Sequence, residues 1–232
     1  MAEPIPQRTR YWGATSRLAS YARRLGDYAR GLDFESVVTA ADSGLDEATA
    51  SRSSPSGDAF LSHAVAALRI HPADRILDIG CGKGSAIRRL LREPFARVDG
   101  IELSEALAVI ASRNFSRLRE PRVRIHCVDA VAFEGYADYN AFYMYNPFPD
   151  GVLRQVLSAM RVADRRTETL LVYDNPVGHA SVVAAGFATW RDFPDRWGNA
   201  IRAYSTLADG RVQPAASAST PASSRSTSSE LE

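Results

Sequence analysis

Apolar positions recur at helical spacing between Ser16 and Arg30, where Leu18, Tyr21, Ala22, Leu25 and Tyr28 predict a basic amphipathic helix. Residues 31–57 are rich in Ser, Asp and Gly and predict a loop, long enough to act as a mobile flap. A second helical stretch runs from Asp58 to Leu68 and is closed by His71-Pro72, since a proline disfavours the helical conformation of the residue before it. Strand and helix patterns then alternate. Arg75–Ile79, Arg97–Glu102, Val123–Val128, Asn140–Tyr145 and Thr169–Tyr173 read as strands. Ser85–Leu91, Glu105–Phe115 (with Ser104 as N-cap) and Val152–Val162 read as the helices between them. Such alternation argues for an α/β fold, a parallel doubly wound sheet covered on both faces. After Gly186 the pattern changes. Phe187–Phe193 and Ala200–Thr206 predict two strands joined by a turn at Asp195–Asn199, with Gly198 free to take positive φ.

From Gln213 onward the chain is Ala, Ser, Thr and Pro with almost no large apolar residue, and is expected to be disordered. The expected organisation is therefore a basic helix and loop over residues 1–55, one α/β domain over 56–210, and a tail over 211–232. Composition agrees with one sizeable core: 232 residues, 45% hydrophobic, 24% charged, net charge +1. These values exclude collagen, coiled coil and disorder throughout. No apolar run approaches the roughly 18–20 residues a spanning helix needs, so no membrane role is expected. The first eight residues lack an apolar h-region, so no secretory signal is expected. Two cysteines, Cys81 and Cys127, make neither a disulfide framework nor a zinc ligand set, so no metal is expected and the compartment implied is a reducing cytoplasm.

Every basic residue except Lys83 is arginine. Arg8, Arg10, Arg17, Arg23, Arg24 and Arg30 crowd the start of the chain against Glu3 and Asp27 alone. The excess fits a composition bias or an arm that meets an anionic partner such as nucleic acid, with Tyr11 and Trp12 available to grip bases. The expected arrangement is packing of the Leu and Tyr face on the domain; a lid over the pocket is the alternative.

The strongest chemical signal is the stretch Arg75–Gly84, Arg-Ile-Leu-Asp-Ile-Gly-Cys-Gly-Lys-Gly, in which a buried strand runs into Gly80-x-Gly82-x-Gly84 and then a helix. Glycines there let the main chain turn sharply and let a ligand approach the backbone at the carboxyl edge of the sheet. The spacing differs from the dinucleotide fingerprint, and Gly84 stands where a phosphate-binding loop needs Ser or Thr. Asp78 at the strand end would repel a pyrophosphate and attract an ammonium beside a sulfonium. Glu102 closes the second strand about twenty residues on, where an acid can accept both hydroxyls of a ribose. Asp129 ends the third strand, within reach of an adenine amino group.

These residues resemble the class I S-adenosylmethionine-dependent methyltransferases over roughly Ser56 to Leu207. Asp78 to Gly84 is similar to that family's first motif, Glu102 to its ribose acid and Asp129 to its adenine-side acid. The resemblance implies a seven-stranded, mostly parallel sheet with an antiparallel C-terminal hairpin. It also implies S-adenosylmethionine as cofactor, with contacts from Asp78, Gly80, Cys81, Gly82, Gly84, Glu102, Leu103, Asp129 and Ala130. More narrowly, Gly-Cys-Gly-Lys-Gly together with Tyr145-Asn146-Pro147-Phe148 resembles a little-characterised bacterial branch distantly similar to the non-SET histone-lysine methyltransferases. Ser85 departs from that branch, where arginine is common.

In the family a polar residue followed by proline at the end of the fourth strand lies beside the transferring methyl group, which implicates Asn146, Pro147 and Phe148. Asn146 can accept hydrogens from an amine and aim its lone pair, and Phe148 can wall the site. The expected activity is N-methylation of an unidentified acceptor, a small molecule or a protein. The alternatives are O-methylation of a small hydroxylated metabolite and a non-catalytic cofactor- or RNA-binding module. Asn175-Pro176, with Asp174 before it, borders the same crevice; at least equally, it is a turn. His179 is a candidate base for a hydroxyl acceptor, although a surface role is the plainer expectation. His126 is expected as a hydrogen-bonded sheet histidine, and Cys127 as a small core filler.

Overall fold

The computed structural model describes residues 22, 24–36, 57–163, 168–195 and 197–207. Tyr11, Trp12, the arginines from Arg8 to Arg23, most of the expected flap and the C-terminal tail lie outside these.

Seven strands form one sheet: β1 Arg75–Ile79, β2 Arg97–Glu102, β3 Ile125–Cys127, β4 Ala141–Tyr145, β5 Leu170–Asp174, β6 Ala188–Pro194 and β7 Ala200–Ser205. Their order is β3-β2-β1-β4-β5-β7-β6. The first five pair in parallel, and β7 runs antiparallel to both β5 and β6. The expected doubly wound sheet and closing hairpin are both present. Helices α1 Ala59–Ala66, α2 Ser85–Leu90, α3 Glu105–Leu118, α4 Asp150–Ala163 and α5 His179–Ala184 connect and cover it.

The central strands are buried on both faces, as parallel strands between helices must be. One core gathers Ile76, Tyr143, Val172 and Ile201 beneath α1 and α2. The other gathers Leu77, Phe142, Leu171 and Tyr173 beneath α4 and α5. Strand alternation sends neighbouring residues to opposite cores, so Asp78 and Asp174 lie on the α1–α2 face with Ile76 and Val172.

Several local expectations are corrected. Strand β3 is shorter than Val123–Val128, so Asp129 sits two residues past its end, exposed, with its carboxylate accepting the Val131 N–H at 2.8 Å. Because β3 is an edge strand, Cys127 is exposed rather than a core filler. His126 Nε2 has no hydrogen-bond partner, and the ring lies against Phe133. His179 is the first residue of α5, a helix whose short Gly-rich approach hid it in the sequence.

At the N-terminus, residues 24–29 are helical. The expected apolar face does not pack on the domain at its described positions: Leu25 is 68% and Tyr28 85% exposed. Asp27 makes the anchor instead, accepting from both Arg88 guanidinium nitrogens at 2.6 and 2.9 Å. The expected flap begins as a fixed strap. Leu32 and Phe34 are buried in the domain core, with Phe34 edge-on to Phe115.

Candidate functional site

The glycine turn sits where β1 leaves the sheet. Gly80, Gly82 and Gly84 have φ of +75°, +54° and +85°, a run of left-handed residues that side chains rarely tolerate. Gly80 N–H and Cys81 N–H both donate to Ile101 O at 3.0 Å, tying the turn to β2. Cys81 points into the core, where its sulfur would lie 2.7 Å from a Cβ on Gly100, so β2 needs glycine there. Burial and the charges of Asp78 and Glu102 push the Cys81 thiol up, away from thiolate chemistry.

A second layer braces the turn from the strap. Asn114 on α3 is fully buried; its amide nitrogen donates to Asp33 O at 2.8 Å and Lys83 O at 3.2 Å, and its oxygen accepts the Asp33 N–H at 2.9 Å. Lys83 is buried and pairs with Asp33 at 2.9 Å, with the Ser36 hydroxyl also bound to its ammonium. The one lysine of the chain is thus a structural bolt between strap and turn. The Asn114 bond to Lys83 O crosses 31 residues and its two bonds to Asp33 cross 81, a separation no local pattern records.

Three sequence-predicted acids line the donor half of the edge. Asp78 is 2% exposed, and its Oδ2 has no hydrogen-bond partner. Burial first, and then the charge of Glu102, hold its carboxyl well above the usual range. Glu102 ends β2, accepting the Gly82 N–H at 2.8 Å and the Ser104 N–H at 2.9 Å. Burial raises it, while these amides and that of Leu103 oppose the rise. Among the described residues no Lys, Arg or His pairs with either carboxyl, and an ammonium group beside Asp78 would restore its charged form. Asp129 stands open to solvent, and Leu103 and Val131 are exposed apolar side chains next to Glu102 and near Asp129 in sequence. Ala130 is buried and takes no part in that open surface; its carbonyl accepts from Tyr136 OH at 2.7 Å.

Across the sheet, β4 ends in Tyr145 and the chain turns at Asn146, whose φ of +34° is unusual for a residue with a side chain. Asn146 Oδ1 accepts from Tyr173 OH at 3.1 Å, and Tyr173 OH in turn accepts from Gly178 N–H at 3.4 Å. This relay fixes which end of the amide is the acceptor. Pro147 packs toward Gly80, where a Cβ would lie 3.2 Å from it, so the Asn146-Pro147 turn and the glycine turn touch. Phe148 is half-buried against the α4 core. Asn175 repeats the left-handed conformation at the end of β5, with φ +53°. His179 is engaged by Tyr204: its Nδ1 lies 3.1 Å from Tyr204 OH and its ring is tilted against the Tyr204 ring.

Tyr173 escaped the sequence, and Asp174 showed there only as the residue before Asn175-Pro176. Tyr173 sits inside an apolar strand where its hydroxyl looked incidental; its only signal was the polar tip on a buried position.

The architecture is the Rossmann-like methyltransferase fold, and within it residues 76–163 match the family model described as "Methyltransferase domain". Over 81 residues the chain is 31% identical to "Ribosomal RNA small subunit methyltransferase A" of Synechococcus sp. (strain RCC307), covering 35% of this chain and 29% of that protein. Over 78 residues it is 38% identical to "Protein-L-isoaspartate O-methyltransferase" of Roseiflexus castenholzii (strain DSM 13941 / HLO8), covering 34% of each. The chain thus spans about a third of the length of the curated relatives it matches. Among solved structures it is similar to geranyl diphosphate C-methyltransferase from Streptomyces coelicolor A3(2), in complex with Mg2+, geranyl diphosphate and S-adenosyl-L-homocysteine. The TM-score is 0.50 at 15% identity, covering 63% of this chain and 76% of that one. The pyocyanin biosynthetic protein PhzM gives 0.51 at 14% identity over 63% and 54%. At these identities the likeness carries the fold.

Among the described residues no group of three or more His, Cys, Asp or Glu side chains could hold a metal ion. No described helix is long and apolar enough to cross a membrane.

Proposed function

We propose that this protein transfers the methyl group of S-adenosylmethionine to a nitrogen of its acceptor. The observation that carries the reading is the buried, unpartnered Asp78 Oδ2 at the root of a left-handed glycine turn that touches the Asn146-Pro147 turn. The residues fit the donor. Asp78 would take its ammonium, Glu102 its ribose hydroxyls, and Leu103, Val131 and Asp129 would border its adenine, with the glycine turn giving backbone access. When bound, the donor supplies an electrophilic methyl on a sulfonium leaving group.

What remains for the protein is alignment and exclusion of water. Asn146 Oδ1, which accepts from Tyr173 OH, would orient the lone pair of an amine by accepting one of its N–H groups. His179 is engaged by Tyr204, so no base is assigned for a hydroxyl acceptor. The two curated relatives are named for methylating ribosomal RNA and protein isoaspartate, so RNA and protein stand beside small molecules as acceptor classes.

The test is calorimetry with S-adenosylmethionine, followed by labelled methyl transfer into fractionated cell extract. The expected result is donor binding, with the labelled product identified by mass spectrometry as an N-methyl compound. Absence of donor binding overturns methyl transfer, and label recovered as an O-methyl ether or ester overturns the choice of nitrogen.

A further inference from the structure

Buried aspartates in this protein fall into two groups. Asp27 is held by Arg88. Asp74 accepts the His71 N–H and the Asn140 amide at 2.6 and 2.7 Å. Asp99 accepts Tyr139 OH and Arg124 N–H, each at 2.7 Å, and pairs with Arg97. These three are satisfied. Asp78, Asp174 and Asp195, at 2%, 4% and 8% exposure, each keep one carboxylate oxygen buried and without a partner.

The unsatisfied three share one edge. Asp78 is near the end of β1, Asp174 ends β5, and Asp195 follows the end of β6. Since β7 is antiparallel to both β5 and β6, β6 runs the same way as β5, and its end emerges at the carboxyl edge with the others. Asp174 and Asp195 stand at the ends of the strands on either side of β7, and the charges of Asp195 and Asp58 act on Asp174, while all three acids act on Tyr145. Burial first, then Asp195, push the Asp174 carboxyl up to about 7, while Tyr143 OH, 3.3 Å from Oδ2, opposes the rise. Tyr145 lies directly beside Asp174 in the sheet register, and the next residue is Asn146. Among the described residues no Lys, Arg or His pairs with Asp174 or Asp195.

Burying two like charges near one another without a cation costs stability, and the described residues supply none. Asp78 bears the same mark, and the donor reading gives it an ammonium to hold. We infer that Asp174 and Asp195 form a second cation subsite, beside Asn146, which binds an ammonium or guanidinium group of the methyl acceptor. Tyr145 forms its wall, and Tyr143 OH holds the second Asp174 oxygen so that the bare one faces the subsite. The acceptor is therefore a cationic amine-bearing molecule or side chain. Its use as an acceptor subsite rests on the methyl-transfer reading, whereas cation binding does not.

Agmatine, which carries both cations, is the probe, with 1,4-butanediol as its neutral counterpart. The full chain is titrated calorimetrically, and S-adenosylmethionine is titrated separately. Agmatine is expected to saturate one site that Asp174→Asn and Asp195→Asn each weaken about tenfold or more, as loss of one member of a buried charge contact does. Donor affinity in both variants stays within about twofold of the parent, a change too small to reflect a lost contact. Methylammonium and guanidinium salts then show which cation is preferred. No agmatine binding below about 10 mM, a value already weaker than specific recognition, overturns the assignment, as does unchanged binding in either variant. A buried acid serving structure alone would leave agmatine affinity unmoved in its amide variant. If a variant does not fold, amide shifts of the parent protein decide. Agmatine-induced changes at Tyr145, Asn175 and Asp195 support the subsite, and changes confined elsewhere overturn it. Loss of donor binding with agmatine binding intact would sink methyl transfer and leave the cation subsite standing.

Discussion

The two halves of the sheet edge are built differently. From β3 to β1 the polar groups lie close in the chain: Asp78 stands just before the glycine turn, and Glu102 accepts from the amides of Gly82 and Ser104. From β4 to β6 the polar groups meet only through the fold. Asn146 depends on Tyr173, 27 residues away, and Asp174 depends on Tyr143 and Asp195. In the proposed reading the first half would hold the donor by main-chain shape and an acid or two. The second is a set of side chains whose placement is decided by strand register, which is where a methyltransferase fold can change its acceptor without changing its donor.

The largest expected effect lies in the first half. Asp78→Ala removes the buried carboxylate that would face the donor's ammonium, and donor affinity should fall at least about 100-fold, since truncating one partner of a buried charge pair costs about 2–5 kcal/mol. Calorimetry measures it. The same change should raise thermal stability of the ligand-free protein, because the lost carboxylate has no partner there. An unchanged donor affinity would erase the contrast between the halves.

Asn146→Ala is the matching cut in the second half. We expect turnover to fall about 100-fold with donor affinity nearly unchanged, the pattern of a lost orienting contact. Tyr173→Phe should cost about tenfold in kcat with little change in KM for the donor, because the amide of Asn146 then loses the hydroxyl that fixes its oxygen. If Tyr173→Phe lowered donor affinity as strongly as kcat, the two halves would be one coupled unit.

The strap gives a stability measurement. Asp33→Ala leaves Lys83 buried without its carboxylate, and should cost about 3 kcal/mol in chemical denaturation. The cost should appear with donor affinity reduced as well, since Lys83 and Asn114 together brace the turn.

The difference between the halves also explains how much the sequence showed. Strand–helix alternation exposed the fold, because parallel strands buried on both faces are continuous apolar runs and the hairpin carries its own turn residues. The glycine turn and Glu102 were legible because their chemistry sits within about 25 residues of chain and at strand ends. Asp174 was visible only as the residue before Asn-Pro, where a turn-forming role is equally good. Nothing local tells a buried unsatisfied acid from a capped one, since the partners of Asp99 and the lack of them at Asp174 are both set by distant segments. The α5 helix was missed for a related reason. Its six residues are too few to show a period, and it is closed by packing of Val182. The exposure of Leu25 and Tyr28 shows the converse, a periodic pattern whose described positions find no core.

The smallest expected effect is a pH dependence that sharpens the second half alone. Burial raises the Asp174 carboxyl from 3.8 to about 7 in the folded protein. Between those values the folded chain holds a proton that the unfolded chain has released, so stability should fall as pH rises through the window and level off above it. The full shift bounds the slope's contribution at roughly 4 kcal/mol, and solvent relaxation will deliver less. Carboxyls raised by burial at Asp78 and Glu102 act in the same direction, so the parent protein alone cannot assign the slope. Asp174→Asn can. In denaturation curves collected from about pH 3 to 8, the difference between variant and parent should be small at the acid end, below 3.8, where Asp174 is neutral in both states. It should grow in the variant's favour as pH rises. A difference that stays constant across the range would mean that Asp174 is ionised throughout and already satisfied. The unsatisfied acid would then belong to the donor half alone.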